Sequence, residues 1–133
     1  MIKKGFAAIY IIILLIPVML FSFKMIDLTV IDYKIGSNIY IKQQALYNAE
    51  AGIEFAYKTL QEYNYPKSFN KTYYINIDEN NVEILDRKAY WESMAVVKIS
   101  SKTQNSIIEY LVDSTGSYKG FNYNISKTVK HIE

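Results

Sequence analysis

The chain has 133 residues, 50% of them hydrophobic, with no cysteine and one histidine. That length accommodates one long helix and one small domain, and the lack of cysteine excludes a disulfide framework and a thiolate metal site. The formal charge is +2 with no run of five like charges, so the basic stripe expected of a chain that binds nucleic acid by itself is missing.

Met1 to Lys4 is a short basic leader, followed by the uncharged run Gly5 to Phe23, GFAAIYIIILLIPVMLFSF. As a helix this run spans roughly 28 Å, close to the hydrocarbon thickness of a bilayer. Lys3 and Lys4 predict a cytoplasmic N-terminus and an outer C-terminus. The run is longer than the apolar part of a conventional signal peptide, and Phe21-Ser22-Phe23-Lys24 offers no small-residue cut site. Pro17 removes one backbone donor inside the run and predicts a kink that neighbouring helices can tolerate.

Beyond Lys24 the pattern becomes amphipathic without a turn signal. Leu28, Ile31, Ile35, Ile39, Leu46, Ala49, Ile53, Ala56 and Leu60 recur at helical spacing. Gly36 and Gly52 are the weak points, each costing about 1 kcal/mol relative to alanine. The helix is predicted to end near Tyr63-Asn64-Tyr65-Pro66, because proline pushes its predecessor out of helical geometry. Such a rod cannot bury its own apolar stripe, so it needs partners along its first half and a domain or partners along its second.

From Asn70 the period shifts toward two. Thr72 to Asp78 alternates, Asn80-Asn81 signals a turn, and Val82 to Leu85 resumes an extended pattern. Tyr90 to Ser100 and Ser106 to Val112 read as strands joined by the polar connection Ser101 to Asn105. Ser114-Thr115-Gly116-Ser117 reads as a polar turn, Gly116 and Gly120 punctuate the tail, and Asn122 to Val129 is a further strand. The expected fold is α+β: a long N-terminal helix, half transmembrane and half amphipathic, packed against a four- or five-stranded antiparallel sheet.

Residues that could carry chemistry are few. His131 reads as a solvated tail residue, and Asp78, Glu79, Glu83 and Asp86 as a solvated rim, with a weak calcium site as the alternative. Tyr90 and Trp91 read as sheet packing rather than a ligand platform. A single histidine without cysteine excludes most zinc sites and any histidine-based triad whose histidine is well buried, so no enzyme, cofactor or metal is expected.

The front of the chain is more informative. A basic leader, Gly5, then Phe6 opening an apolar helix resembles the type IV pilin-like superfamily of pilins, minor pilins and pseudopilins. The resemblance implies cleavage between Gly5 and Phe6 by a prepilin peptidase and N-methylation of Phe6. Some forty residues on, Gln43 to Glu54 contains Ala45, Ala49, Glu50, Ala51 and Gly52. This stretch is similar to the A-x-x-A-E-A-G segment of PilX-type minor pilins and K-type pseudopilins. Ala45, Ala49 and Gly52 form a small-residue face that permits close approach of a helix or sheet.

Where most major pilins carry a glutamate five residues into the mature chain, this one has Tyr10. In the family picture that glutamate neutralises a neighbouring subunit's N-terminal amine, and a carboxylate in lipid is costly unless paired. On that resemblance its replacement implies a minor subunit, with the filament tip as one placement and the shaft as the other; a nonfunctional or specialised paralogue is the alternative. The implied organisation is a leader at 1–5, an assembly helix at 6–23 containing Tyr10 and Pro17, an amphipathic stalk at 24–62 and a sheet head at 63–133. The implied partners are other pilin or pseudopilin subunits, the prepilin peptidase, the inner-membrane assembly platform, and membrane lipid before assembly. Nucleic acid is not expected to bind this subunit alone. An uncleaved signal-anchor protein with a small outer binding domain is the alternative.

Overall fold

The computed structural model describes residues 3–78, 81–87, 89–104 and 107–132; the side chains of 3–7, 78, 104 and 132 lie outside that description. The chain is α+β: α1 (Lys3–Glu62) is followed by β1 (Asn70–Asp78), β2 (Asn81–Leu85), β3 (Ser93–Gln104), β4 (Ile107–Tyr118) and β5 (Phe121–Ile132). It divides into two units, Met1–Asn38 and Ile39–Glu133. The second holds the C-terminal part of α1 and the whole sheet.

Within that second unit the helical periodicity of the sequence becomes one buried face. Ala45, Asn48, Ala49, Ile53, Ala56, Thr59 and Leu60 are each at most 5% exposed, and they recur at the three- and four-residue steps that place side chains on one side of a helix. α1 ends where proline predicts. Tyr65 N–H donates to Leu60 O at 2.9 Å, and Asn64 and Tyr65 take φ of 51° and 50°. A left-handed tyrosine is an uncommon conformation. Here the Tyr65 ring is held by stacking on His131, 4.4 Å away and 7° from parallel, and by the Tyr110 ring at 6.0 Å. The neighbouring Pro66 carbonyl accepts from the Tyr110 hydroxyl at 2.8 Å.

The sheet order is β2-β1-β3-β4-β5, and every neighbouring pair is antiparallel. The helix-side rows are set by register, with Ile75 opposite Ala95, and Val97 and Ile99 opposite Ser114 and Val112. Together with Ile108, Tyr110, Phe69 and the helix residues Ile53, Ala56 and Leu60, they make the hydrophobic core. β4 and β5 are joined through Lys119 and Gly120, with φ of 46° and 79°, while Tyr118 pairs with Phe121. Two residues at positive φ are the tight hairpin geometry that matches strand twist, and glycine supplies one of them without strain.

Four local expectations are corrected. Ser101–Gln104 are not a connection but the last residues of β3, opposite Ile107–Tyr110. Their polarity has another cause: Ser101 Oγ accepts from Phe69 N–H at 2.7 Å, and Thr103 Oγ1 donates to Lys67 O at 3.2 Å. Ser114-Thr115-Gly116-Ser117 is not a turn but part of the C-terminal half of β4, and Ser114 and Gly116 are small because α1 lies against them. The last strand runs Phe121–Ile132, longer than Asn122 to Val129. His131 is not a solvated tail residue: it sits in β5, half-buried against Tyr65. Of the expected Asn80-Asn81 turn, Asn81 opens β2, and position 80 falls outside the described residues.

Candidate functional site

The first unit carries the most unusual surface. From Ile9 to Phe23 every large apolar side chain is about half exposed or more, from Leu15 at 49% to Leu14 at 69%. The most apolar stretch of the helix has a mean hydropathy of 2.5 with none of it buried, so the helix is long and apolar enough to cross a membrane. A helix that is apolar around its whole circumference is stable only in lipid or among other apolar helices. Ser22 Oγ donates to Val18 O at 2.9 Å and Thr29 Oγ1 to Met25 O at 2.8 Å. These bonds to the carbonyl four residues back satisfy each hydroxyl within the helix itself.

Tyr10 lies in this stretch at 65% exposure, and Pro17 lies inside α1. Gly5 and Phe6 also fall within α1, but their side chains are outside the described residues.

The alanine-glycine segment divides between two sides of the helix. Ala45, Ala49 and Gly52 are buried, whereas Glu50 and Ala51 are exposed. The buried three meet an equally small patch on the sheet. A Cβ on Gly116 would run into Ala45 O and Ala49 N and lie 2.9 Å from Ala49 Cα; one on Gly52 would run into Ser114 Oγ and lie 2.8 Å from Val97 Cγ2. At Gly116 strand backbone therefore touches helix backbone with no side chain between them, and at Gly52 helix backbone lies directly on the Ser114 and Val97 side chains. Farther along, Leu60, Ile99, Ile108 and Tyr110 fill the interface with bulk. Among the described residues no group hydrogen-bonds Ser114 Oγ in its buried position, which makes it the least comfortable polar atom of this contact.

One buried side chain of the same helix face escaped sequence reasoning. Asn48 is 4% exposed, and its Nδ2 donates to Ser117 O at 2.8 Å and to Ser93 Oγ at 3.1 Å. It thus ties α1 to the first residue of β3 and the end of β4. Its position one residue before Ala49 and three after Ala45 was the available signal, since only the buried face of a helix runs through all three.

Two clefts flank the helix within this unit. One, of about 870 Å³, lies between α1 and β5 and is bordered by Glu50, Glu54 and Tyr57 on one side and Tyr123 and Lys127 on the other. The other, of about 600 Å³, is bordered by Tyr40, Asn48, Trp91 and Tyr118. Neither Tyr90 nor Trp91 is in a strand: they lie in the β2–β3 connection, Tyr90 exposed and Trp91 half-buried. Among the described residues no three His, Asp or Glu side chains come together as a metal would require. Glu83 and Asp86 are exposed, whereas Glu79 and the Asp78 side chain fall outside the described residues.

The architecture, a long apolar N-terminal helix whose later turns pack on a five-stranded antiparallel sheet, is pilin-like. No family model, curated protein or solved structure matches the chain.

Proposed function

We propose that this chain is a minor pilin or pseudopilin subunit, an interaction protein rather than an enzyme, that primes or caps a type IV pilus-like filament. The observation that carries this is the all-round exposure of the apolar stretch. A subunit that waits in a bilayer and later packs among other helices needs a helix with no buried side in its own monomer. The pilin-like sheet held by the later turns of the same helix is the second support. In this account a prepilin peptidase removes residues 1–5, Phe6 becomes the N-methylated first residue, and the assembly platform draws the helix from the cytoplasmic membrane into the filament at the cell surface. Tyr10, which cannot pair with a neighbour's amine as a carboxylate would, suits a tip or minor position.

Gly5→Leu tests the processing step. The substituted chain is expected to accumulate as a full-length membrane precursor in cells that contain the peptidase, seen as slower migration than the wild type. Normal maturation of this variant would contradict the cut site. If the wild-type chain also stays uncleaved, it is a single-pass signal-anchor protein with a small outer binding domain.

A further inference from the structure

We propose that the cleft bordered by Tyr40, Trp91 and Tyr118 binds a neutral saccharide. At about 600 Å³ it is within the size range of small-ligand sites. Three of its walls are aromatic, and they come from three separate places: α1, the β2–β3 connection and the end of β4. Tyr40 and Tyr118 meet edge to face with centroids 6.0 Å apart and planes at 82°, so each supports the orientation of the other. The connection that carries Trp91 is pinned at two points, by the Trp91 N–H to Met94 Sδ contact at 3.5 Å and by Lys119 N–H donating to Glu92 O at 3.1 Å.

The lining also carries three uncharged amides, Gln44, Asn48 and Asn76, with Ile77 and Ser93. Asn48 is held in place, with Nδ2 bonded to Ser93 and Ser117. Its amide borders the cleft in that fixed orientation. A pyranose ring matches this lining. Its C–H face stacks on the electron-rich face of an aromatic ring, and its hydroxyls both donate and accept, as amides do. The charges at the cleft, Glu92 and Lys119, offset one another, so no excess of positive charge selects a phosphate or carboxylate ligand. A wholly apolar ligand would cover the Gln44 and Asn76 amides without pairing them.

Trp91 and Glu92 also border a second cleft of about 460 Å³, which opens toward Met94, Val96 and Thr115. Two cavities sharing one aromatic wall fit an oligosaccharide better than a single ring.

Trp91 is the only tryptophan in the chain, so its fluorescence reports on the two clefts it borders, and the Tyr40 and Gln44 variants below assign a response to the first of them. Full-length protein in a detergent without a sugar headgroup would be titrated with maltotriose, cellotriose and chitotriose. At least one should give a saturable change in Trp91 emission below ~10 mM, as befits a shallow site. Tyr40→Ala, at a side chain 52% exposed, should then weaken binding about three- to tenfold, and Gln44→Ala should weaken it in the same direction. Tyr57→Ala, on the other cleft, should leave binding unchanged. The absence of a saturable response to all three sugars would overturn the proposal. So would a response that Tyr40→Ala and Gln44→Ala both leave unaltered, or one reproduced by inorganic phosphate or free indole. The outcome is independent of leader processing.

Discussion

Gly116 shows how much a single missing side chain can decide. A strand interior ordinarily disfavours glycine, yet here a Cβ would occupy the space of the Ala45 carbonyl and the Ala49 amide. Gly116→Ala is therefore expected to destabilise the second unit by about 3 kcal/mol, the upper range for forcing extra volume into a packed interior, as read by denaturant unfolding followed through Trp91. Gly36, with nothing within 4 Å of its Cβ position, provides the contrast. Gly36→Ala should be neutral or stabilising by up to about 1 kcal/mol, since only helix propensity changes. At Ser114 the expected sign is reversed. Its Oγ is buried with no hydrogen-bonding group among the described residues, so Ser114→Ala removes an unsatisfied hydroxyl at little loss of volume and should stabilise by about 1 kcal/mol. A loss of stability in that variant would mean that the hydroxyl is satisfied in solution.

Among the elements, the register of β4 and β5 places Glu109 opposite Lys130, and their side chains meet at 2.8 Å. The hydrogen bond and charge of Lys130 hold the Glu109 carboxyl below its ordinary range. Its folded pKa thus lies below the unfolded one, and whatever stability the pair supplies is present above the unfolded value and lost as pH falls through the folded one. The Lys130 and Glu109 side chains are 65% and 39% exposed, so solvent screening keeps that contribution small. Lys130→Met should return the Glu109 titration, followed by carboxylate NMR, toward the ordinary range. Element boundaries were legible wherever a local rule governs them. The 3.6-residue spacing of Ala49, Ile53, Ala56 and Leu60 marks the helix, Pro66 marks its end, and the alternation of Thr72 to Asp78 marks β1. They were illegible where the reason lies across the fold. Ser114 to Ser117 looks like a turn because a helix backbone elsewhere in the sequence dictates small residues at Ser114 and Gly116. Ser101 and Thr103 look like a loop because their hydroxyls serve Phe69 and Lys67. The same distinction separates the sites. Gly5-Phe6 and Ala45 to Gly52 are contiguous stretches that stand out in the sequence as motifs, whereas the cleft gathers Tyr40, Asn48, Asn76, Trp91 and Tyr118 from distant segments.

For the whole molecule, the two units carry different demands: one presents apolar surface that lipid or other helices must cover, the other closes a core of its own. A minor filament subunit meets both, and Tyr10 is the position expected to govern where along the filament it sits. If a carboxylate there is what admits a subunit to the shaft, labelled Tyr10→Glu protein should appear along filaments instead of at their tips alone. Continued confinement to tips would assign that restriction to another residue. Both expectations depend on a mature chain that starts at the phenylalanine after the leader. The most direct measurement is the N-terminal mass of the chain recovered from cells with and without their prepilin peptidase. The account predicts N-methylated Phe6 as the first residue when the peptidase is present and an intact Met1 when it is absent. An intact Met1 in peptidase-competent cells would contradict it.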